Sequence, residues 1–564
     1  MQEEDVLTAV HRDLLMEHVR EIAQHVRLSG SEEEALAFDY IESKLKSWGI
    51  QYQRATHPAY ISLPGEASLV VRRDGRSQGV ACITHSMAQS TGEGGVSGYV
   101  TDVGPGRESD YEHFPAGAIA LVDGLASPDS MRRAVRAGAV GAIFNNGREL
   151  HEMIVSPVWG SPSSEDIGLL PQIPAVSILG SDAANLRIEL SGGPVSVTIT
   201  AKVLTEWREI PLLVADIPGV LFPDEVVMLA GHVDSWHYGA MDNGSANAVS
   251  LEMLRLFQER RGELKRTLRV AFWSGHSHGR YAGSTWYVDE HWQELNEQLV
   301  AQLYVDSVGG KGATVLAEAW AMAETRQIAS ATVQAETGET FHGGRFGRAG
   351  DQSFYGIGVS GLFMCLSEQP PVVDHSASLS SQFLGGGKTG GLGWWWHTVD
   401  DTTDKLDPEY LERDARVYAA ALRMLLTESR LPLDFRETAR EIYGHLTAWQ
   451  AVAEDRFSLQ SALELCRELE SKVDTFYASH VEDGMFNRKL MALQRLLIPM
   501  NYSTGNRFEQ DLALNYPPIP ALAPIQQLVL TDTGSTESKH LEVLLQRRLN
   551  YITHTLKEAL LVLN

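Results

Sequence analysis

Five stretches of this sequence place histidine and aspartate where they could do metal chemistry. EVVMLAGHVD ends on His232 and Asp234, TLRVAFWSGHSH on His276 and His278, and AQLYVDS on Asp306. The loop GAMDNGS adds Asp242 just before a helix-like stretch, and GGLGWWWHTVDDTTDKLD adds His397. Imidazole nitrogen together with carboxylate oxygen is the donor mixture that suits Zn²⁺ and similar divalent ions. The chemistry implied is water activation. A bound ion lowers the pKa of its water to about 7 and polarises a carbonyl, so that an amide can be broken without a covalent intermediate. Two rival chemistries are missing. GGGKTGGLG lacks the spacing of a phosphate loop and precedes no helix, and GSTWY lacks the GxSxG pattern of a nucleophile elbow.

Ligands gathered at strand ends need a sheet to hold them, since open α/β sheets bind at the carboxyl ends of their strands. EVVMLAGH, TLRVAFWSG, AQLYVDS and GVSGLFMC are apolar strand-like runs, separated by helical stretches such as NAVSLEMLRLFQER. That pattern predicts α/β architecture with both faces of the sheet covered. Before it, residues 6 to 50 read as two amphipathic helices, the second capped by Ser31 and stopped at Gly49. From residue 61 to 205 the pattern changes to short runs such as SLVVRR, GVACITH, GAIALVD and AVSILG with a single helix among them, which predicts a small inserted β-rich domain. Residues 431 to 564 are almost wholly helical in period, interrupted by the turn-rich NYPPIPALAP. The main α/β domain is thus expected over 1–60 and 206–430.

The bulk properties narrow the partners. A chain of 564 residues exceeds the roughly 250 to 300 residues at which single cores stop growing. The formal charge of -26, from 73 acidic against 47 basic residues, excludes nucleic acid and an anionic membrane surface as partners. No apolar run approaches the ~18 residues of a membrane span, and the acidic start MQEEDVLTAVHRDLL has no export-signal character. Cys82, Cys365 and Cys466 are too scattered for a disulfide framework or a thiolate metal site. A cytoplasmic location is expected.

In order along the chain, GHVDSWHYGAMDNGSA, FWSGHSHGRYAGSTWY, YVDSVGG, RAGDQSFYGIGVSG and WWWHTVDDTTDKLD resemble the co-catalytic zinc aminopeptidase family that includes glutamate carboxypeptidase and transferrin receptor. GAIALVDG and RRAVRAGAVGAIFNN in the insertion resemble the protease-associated domain of the larger members, a lid. The resemblance implies a mixed sheet flanked by helices, and it implies dimerisation through the C-terminal helices. It makes His232 and Asp306 ligands of a first metal, Asp242 the bridge, His397 a ligand of a second metal, and Asp234 the carboxylate that orients His232. The departure is at the positions that read His276 and Ser277, where family members carry two glutamates, a general base and a second-metal ligand. Serine is a poor Zn²⁺ ligand, so the second site is weakened, lost, or rebuilt with His278 or His276.

His276 and His278 are each left with three roles: general base, metal ligand, or a satisfied hydrogen bond in a retired site. Asp351 and Gln352 fall where the family has a substrate-facing turn, and Trp396, with Trp394 and Trp395 after the glycine-rich run, could wall a substrate pocket or simply pack. The expected function is hydrolysis of an amide or related C–N bond in a small substrate, non-peptide ones included, with one or two Zn²⁺ ions or Mn²⁺ in their place. An ordinary aminopeptidase or carboxypeptidase with a rebuilt site is the nearest alternative. A non-catalytic, transferrin receptor-like scaffold is the alternative of another class. Expected partners are a small molecule or short peptide and a second copy of the chain.

Overall fold

The structure, a computed structural model, describes residues 6–371, 379–380 and 388–564. Its centre is a block of parallel strands: β9 (Phe222–His232), β10 (Arg266–Trp273), β11 (Leu299–Tyr304) and β12 (Ser360–Leu362), in the order β12-β11-β9-β10. Every residue of β11 and all of β9 from Glu225 onward are buried, the mark of a strand covered on both faces. The helix Ala246–Glu259 carries the chain from β9 to β10, and β11 then pairs on the other side of β9. The direction of winding therefore reverses at β9. A reversal of this kind opens a crevice at the carboxyl ends of the strands.

Two long strands, β1 (Gln51–Arg73) and β8 (Ser196–Ile217), pair antiparallel from Gln51–Asp216 to Arg72–Ser196, with an irregularity between Pro64 and Ala67. Proline cannot donate to a ladder, which suits it to such a break. One end of this ribbon pairs with β10 through Ile217 and Leu268, and the other meets β4 (Val96–Asp102) through Ile199 and Val96. The insertion is tied to the site-bearing sheet by two continuous strands.

Beyond β4 the insertion runs parallel through β5 (Ile119–Asp123), β6 (Gly141–Asn145) and β7 (Ala175–Ile178), with β2 (Arg76–Val80) antiparallel on β1 and β3 (Ile83–Thr84) antiparallel on β7. It has two helices, Pro128–Arg136 and Gly180–Ser191, where the sequence predicts one. The second buries only Ala183 and Leu186, so its apolar spacing carries almost no helical signal. At the amino end the helix Glu32–Trp48 is capped by Ser31 Oγ, which accepts from Glu34 N–H, and stops at left-handed Gly49. The C-terminal helices are Pro408–Thr427, Phe435–Ala453, Gln460–Tyr477, Asp483–Tyr502 and Thr536–Leu563. Asp483–Tyr502 continues through Pro499, past the point where its periodicity fades, because Ile498, Pro499, Met500 and Asn501 are all buried in tertiary contact. No helix among the described residues is long and apolar enough to cross a membrane.

Candidate metal centre

His232 is the last residue of β9, His276 lies three residues beyond β10, and Asp306 lies two beyond β11. Asp242 sits in the turn Ala240–Ser245 that leads into the helix Ala246–Glu259. That turn is braced from outside. The guanidinium of the buried Arg27 donates to the carbonyls of Val233, Tyr238 and Gly239, and Asp401 accepts from the backbone N–H groups of Met241 and Asp242. The start of the turn needs glycine, because Gly239 has φ +52° and a Cβ there would stand 2.2 Å from the Asp242 carbonyl oxygen.

One potential ligand atom each from His232, His276 and Asp306 lie within 4.8 Å of one another. The two imidazoles stack 3.7 Å apart with planes 9° from parallel. Each has its other nitrogen fixed: His232 Nδ1 donates to the Asp234 carbonyl at 2.8 Å, and His276 Nδ1 to the Asp351 carboxylate at 2.7 Å. An oxygen on Nδ1 sets the tautomer and leaves the Nε2 lone pair for an ion. His232 Nε2 is buried without a hydrogen bond, 3.2 Å from Asp242 Oδ1 and 3.7 Å from Asp306 Oδ2. The other oxygen of Asp242 is 3.0 Å from His397 Nε2. Imidazole nitrogen and carboxylate oxygen at these distances need a positive charge between them, which either a proton or a metal ion supplies. The charges say the same. Burial would lower His232, yet the carboxylates of Asp234, Asp242 and Asp306 hold it well above an ordinary imidazole. Burial would raise Asp242, yet His232 and His397 draw it far below the usual carboxylate range. The donor set fits a divalent ion: two imidazoles and a carboxylate, with Asp242 alongside.

Several sequence expectations change here. His278 does not join the cluster. Its Nδ1 is 2.9 Å from Ser29 Oγ, which in turn donates to the Asp234 carboxylate, and its ring packs at 4.5 Å from Trp236. Burial pulls its pKa down to about 4, so it is a neutral residue under the site. Asp234 orients His232 through its backbone carbonyl, while its carboxylate, 3.6 Å away, accepts from the N–H groups of His276 and Ser277 and so shapes the turn. Asp351 is not turned to substrate. It is fully buried, and accepts from Tyr304 OH and Ser284 Oγ, both at 2.6 Å, as well as from His276. Gln352 is buried and lies outside the pocket lining. Trp396 does line the pocket, stacked on His397 at 3.6 Å, whereas Trp395 is buried and Trp394 half exposed. The first three glycines of the run before them, residues 385–387, lie outside the described residues.

The residues that sequence reasoning missed include Tyr304, which shares a strand face with Asp306 by simple alternation, and the segment His151–Ile154 of the insertion. Glu152 accepts from His397 Nδ1 at 2.7 Å and donates its N–H to the His397 carbonyl at 2.9 Å, and His151 Nδ1 lies 2.6 Å from the Trp396 carbonyl. Met153 and Ile154 help enclose a pocket of about 50 Å³, which Trp236, Tyr281 and Trp396 also wall. The insertion therefore both closes the pocket and fixes the tautomer of His397.

A sheet that reverses its winding at β9, with imidazole and carboxylate gathered at that point, is an arrangement that can hold a divalent ion and activate water for hydrolysis. Residues 213–422 match the model of Peptidase family M28. Over 510 residues the chain is 24% identical to a probable glutamate carboxypeptidase of Zea mays, covering 77% of this chain and 69% of that protein. It is 35% identical over 160 residues to carboxypeptidase Q of Xenopus laevis, a match spanning 27% of this chain and 34% of that protein, about a third of the relative's length. Among solved structures, an aminopeptidase from Aneurinibacillus sp. strain AM-1 shares the fold with a TM-score of 0.55 at 20% identity, over 75% of this chain and 95% of that one. A Peptidase M28 precursor from Shewanella amazonensis gives 0.57 at 20% identity, over 74% and 94%.

Proposed function

We propose that this site hydrolyses an amide bond in a small substrate, using water activated by one Zn²⁺ ion held by His232, His276 and Asp306, with Asp242 beside them. The observation that carries this reading is that one ligand atom each of His232, His276 and Asp306 lies within 4.8 Å of the others, while an oxygen holds Nδ1 of both imidazoles. When bound, the ion lowers the pKa of its water to about 7 and polarises the scissile carbonyl. Asp242 and His397 manage the protons. His397 Nε2 faces Asp242 Oδ2, and its Nδ1–H is held by Glu152, so Nε2 is the atom that accepts a proton from the attacking water and returns it to the leaving nitrogen. The glutamate base of the family is replaced by this pair.

Among the described residues, only Asp242 Oδ2 and His397 Nε2 meet at the second-metal position, one fewer than the three protein ligands ordinary for catalytic zinc. One ion per chain is therefore the expected content. The aromatic walls of Trp236, Tyr281 and Trp396 around the metal position favour a compact substrate over a long peptide. The match of residues 213–422 to a peptidase family model favours short peptides as the second substrate class, and cleavage of simple aminoacyl amides at typical rates of ~1 to 10³ s⁻¹ would select it. The first test is metal per chain by elemental analysis. One ion is expected in the wild type and in His278→Ala, and under about a tenth of an ion in His232→Ala and His276→Ala. Absence of any bound ion overturns the reading, and two ions retained in His276→Ala would return His276 to the role of base.

A further inference from the structure

Arg280 stands out because nothing among the described residues pairs with its charge. It lies in the turn between β10 and the helix Ala282–Glu290, is 4% exposed, and has a buried Nε without a hydrogen-bond partner. Among the described residues no carboxylate lies within ion-pair reach of it. Its guanidinium carbon lies 5.0 Å from the centroid of the Tyr281 ring. Burying an unpaired guanidinium costs several kcal/mol, and the backbone adds to that, since Arg280 and Tyr281 both take left-handed conformations, at φ +50° and +71°. The other buried arginines of the region are engaged: Arg27 donates to four backbone carbonyls besides that of Val233, and Arg348 to the carbonyl of Asp511 while covering Trp159 at 4.1 Å.

The place of Arg280 gives the charge a use. It lines the metal pocket beside His276 and Tyr281, and it lines a second cavity of about 160 Å³ that shares Ala349 with the first. The second cavity also carries Arg133 and Arg348. Its one acidic residue, Asp129, is occupied by Arg132 at 3.3 Å and Arg133 at 3.6 Å. A partition whose polar member is an unpaired guanidinium has positive character on both sides, whereas the metal end of the pocket is lined by Asp242 and Asp306.

We propose that Arg280 anchors a carboxylate of the substrate, so that the substrate is a small acid whose amide lies over the metal position while its carboxylate pairs with the guanidinium at the boundary of the two cavities. This deepens the hydrolase reading and rests on it for the reaction, though not for the binding. A planar guanidinium offers a carboxylate two parallel donors, which supplies the partner that the protein withholds.

The test is calorimetric titration of the as-purified full-length chain with succinate and with its neutral counterpart, succinamide. Succinate is expected to bind at least tenfold more tightly, and Arg280→Gln is expected to abolish that preference while leaving metal content unchanged. Arg280→Gln should also melt at a higher temperature than the wild type, because an unpaired buried charge has been removed. Equal binding of the two ligands by the wild type overturns the proposal, even if the variant fails to fold. Full succinate affinity in a folded Arg280→Gln overturns it too, since the acid would then be held by the metal alone. A chain without metal that still prefers succinate would sink the hydrolase reading and leave Arg280 as an anion site.

Discussion

At the scale of single residues, the least expected feature is that His276 is served by a carboxylate as a metal ligand is served. Asp351 holds Nδ1 at 2.7 Å while also accepting from Tyr304 and Ser284, so it cannot rotate away. Replacing it with asparagine keeps the shape but removes the carboxylate that fixes the ring of His276. Loss of such a partner typically weakens metal affinity about 10- to 100-fold, and that is the change expected for Asp351→Asn in a competition titration against a chromophoric chelator. Unaltered affinity would mean that His276 is not a ligand. His232, Asp242, Asp306 and His397 were legible in the sequence because each ends an apolar run or sits in a dense motif. The pairing of His276 with Asp351 was not, since the two are 75 residues apart and only the packing of β11 against β9 and β12 brings them together.

At the scale of elements, the site depends on turns more than on strands. The strands deliver their ends in register, a consequence of parallel pairing that the apolar runs already predicted. The turn Ala240–Ser245 must then aim both oxygens of Asp242 at different histidines. Gly239 makes this possible. In Gly239→Ala the new methyl would meet Asp242 O at 2.2 Å and Ser235 Cβ at 2.6 Å, in a left-handed conformation alanine disfavours. A loss of more than about 3 kcal/mol in stability is expected, together with loss of bound metal, measured by thermal unfolding and elemental analysis on the same sample. Retention of both would show that the turn can relax without moving Asp242. The clasp between Glu152 and His397 lay beyond sequence reasoning for a different reason. It forms between residues 245 apart, and its bonds use backbone carbonyls and N–H groups, which every sequence has.

At the scale of the whole molecule, two properties follow from what is buried and what is not. The helix Thr536–Leu563 leaves Val543 and Leu561 exposed, five turns apart on one face, with Leu530 nearby in sequence. A homodimer through this region is the arrangement we propose, and a solution mass near twice 62.1 kDa by light scattering is expected, a single chain mass being the contrary result. The second property is sensitivity to acid. His18 in the first helix, His57 in β1 and His85 in the insertion are buried in three separate parts of the fold. Burial lowers their pKa values to about 4, 4 and 3 from the ordinary 6.5. Below about 6.5 the unfolded chain takes up protons that the native state refuses, so each residue contributes fully above that pH and loses its contribution as the pH falls toward 3 to 4. With about 1.4 kcal/mol per tenfold change in proton affinity, each can take up to about 2 kcal/mol from stability at pH 5. The melting temperature is therefore expected to fall between pH 7 and pH 5, and the fall should be shallower in His57→Phe, which keeps the stack on Trp286 at 4.5 Å but cannot be protonated. An unchanged slope in that variant would assign the acid sensitivity to other groups, whereas a reduced slope would make His57 one of the residues through which acid loosens the ribbon joining the insertion to the site.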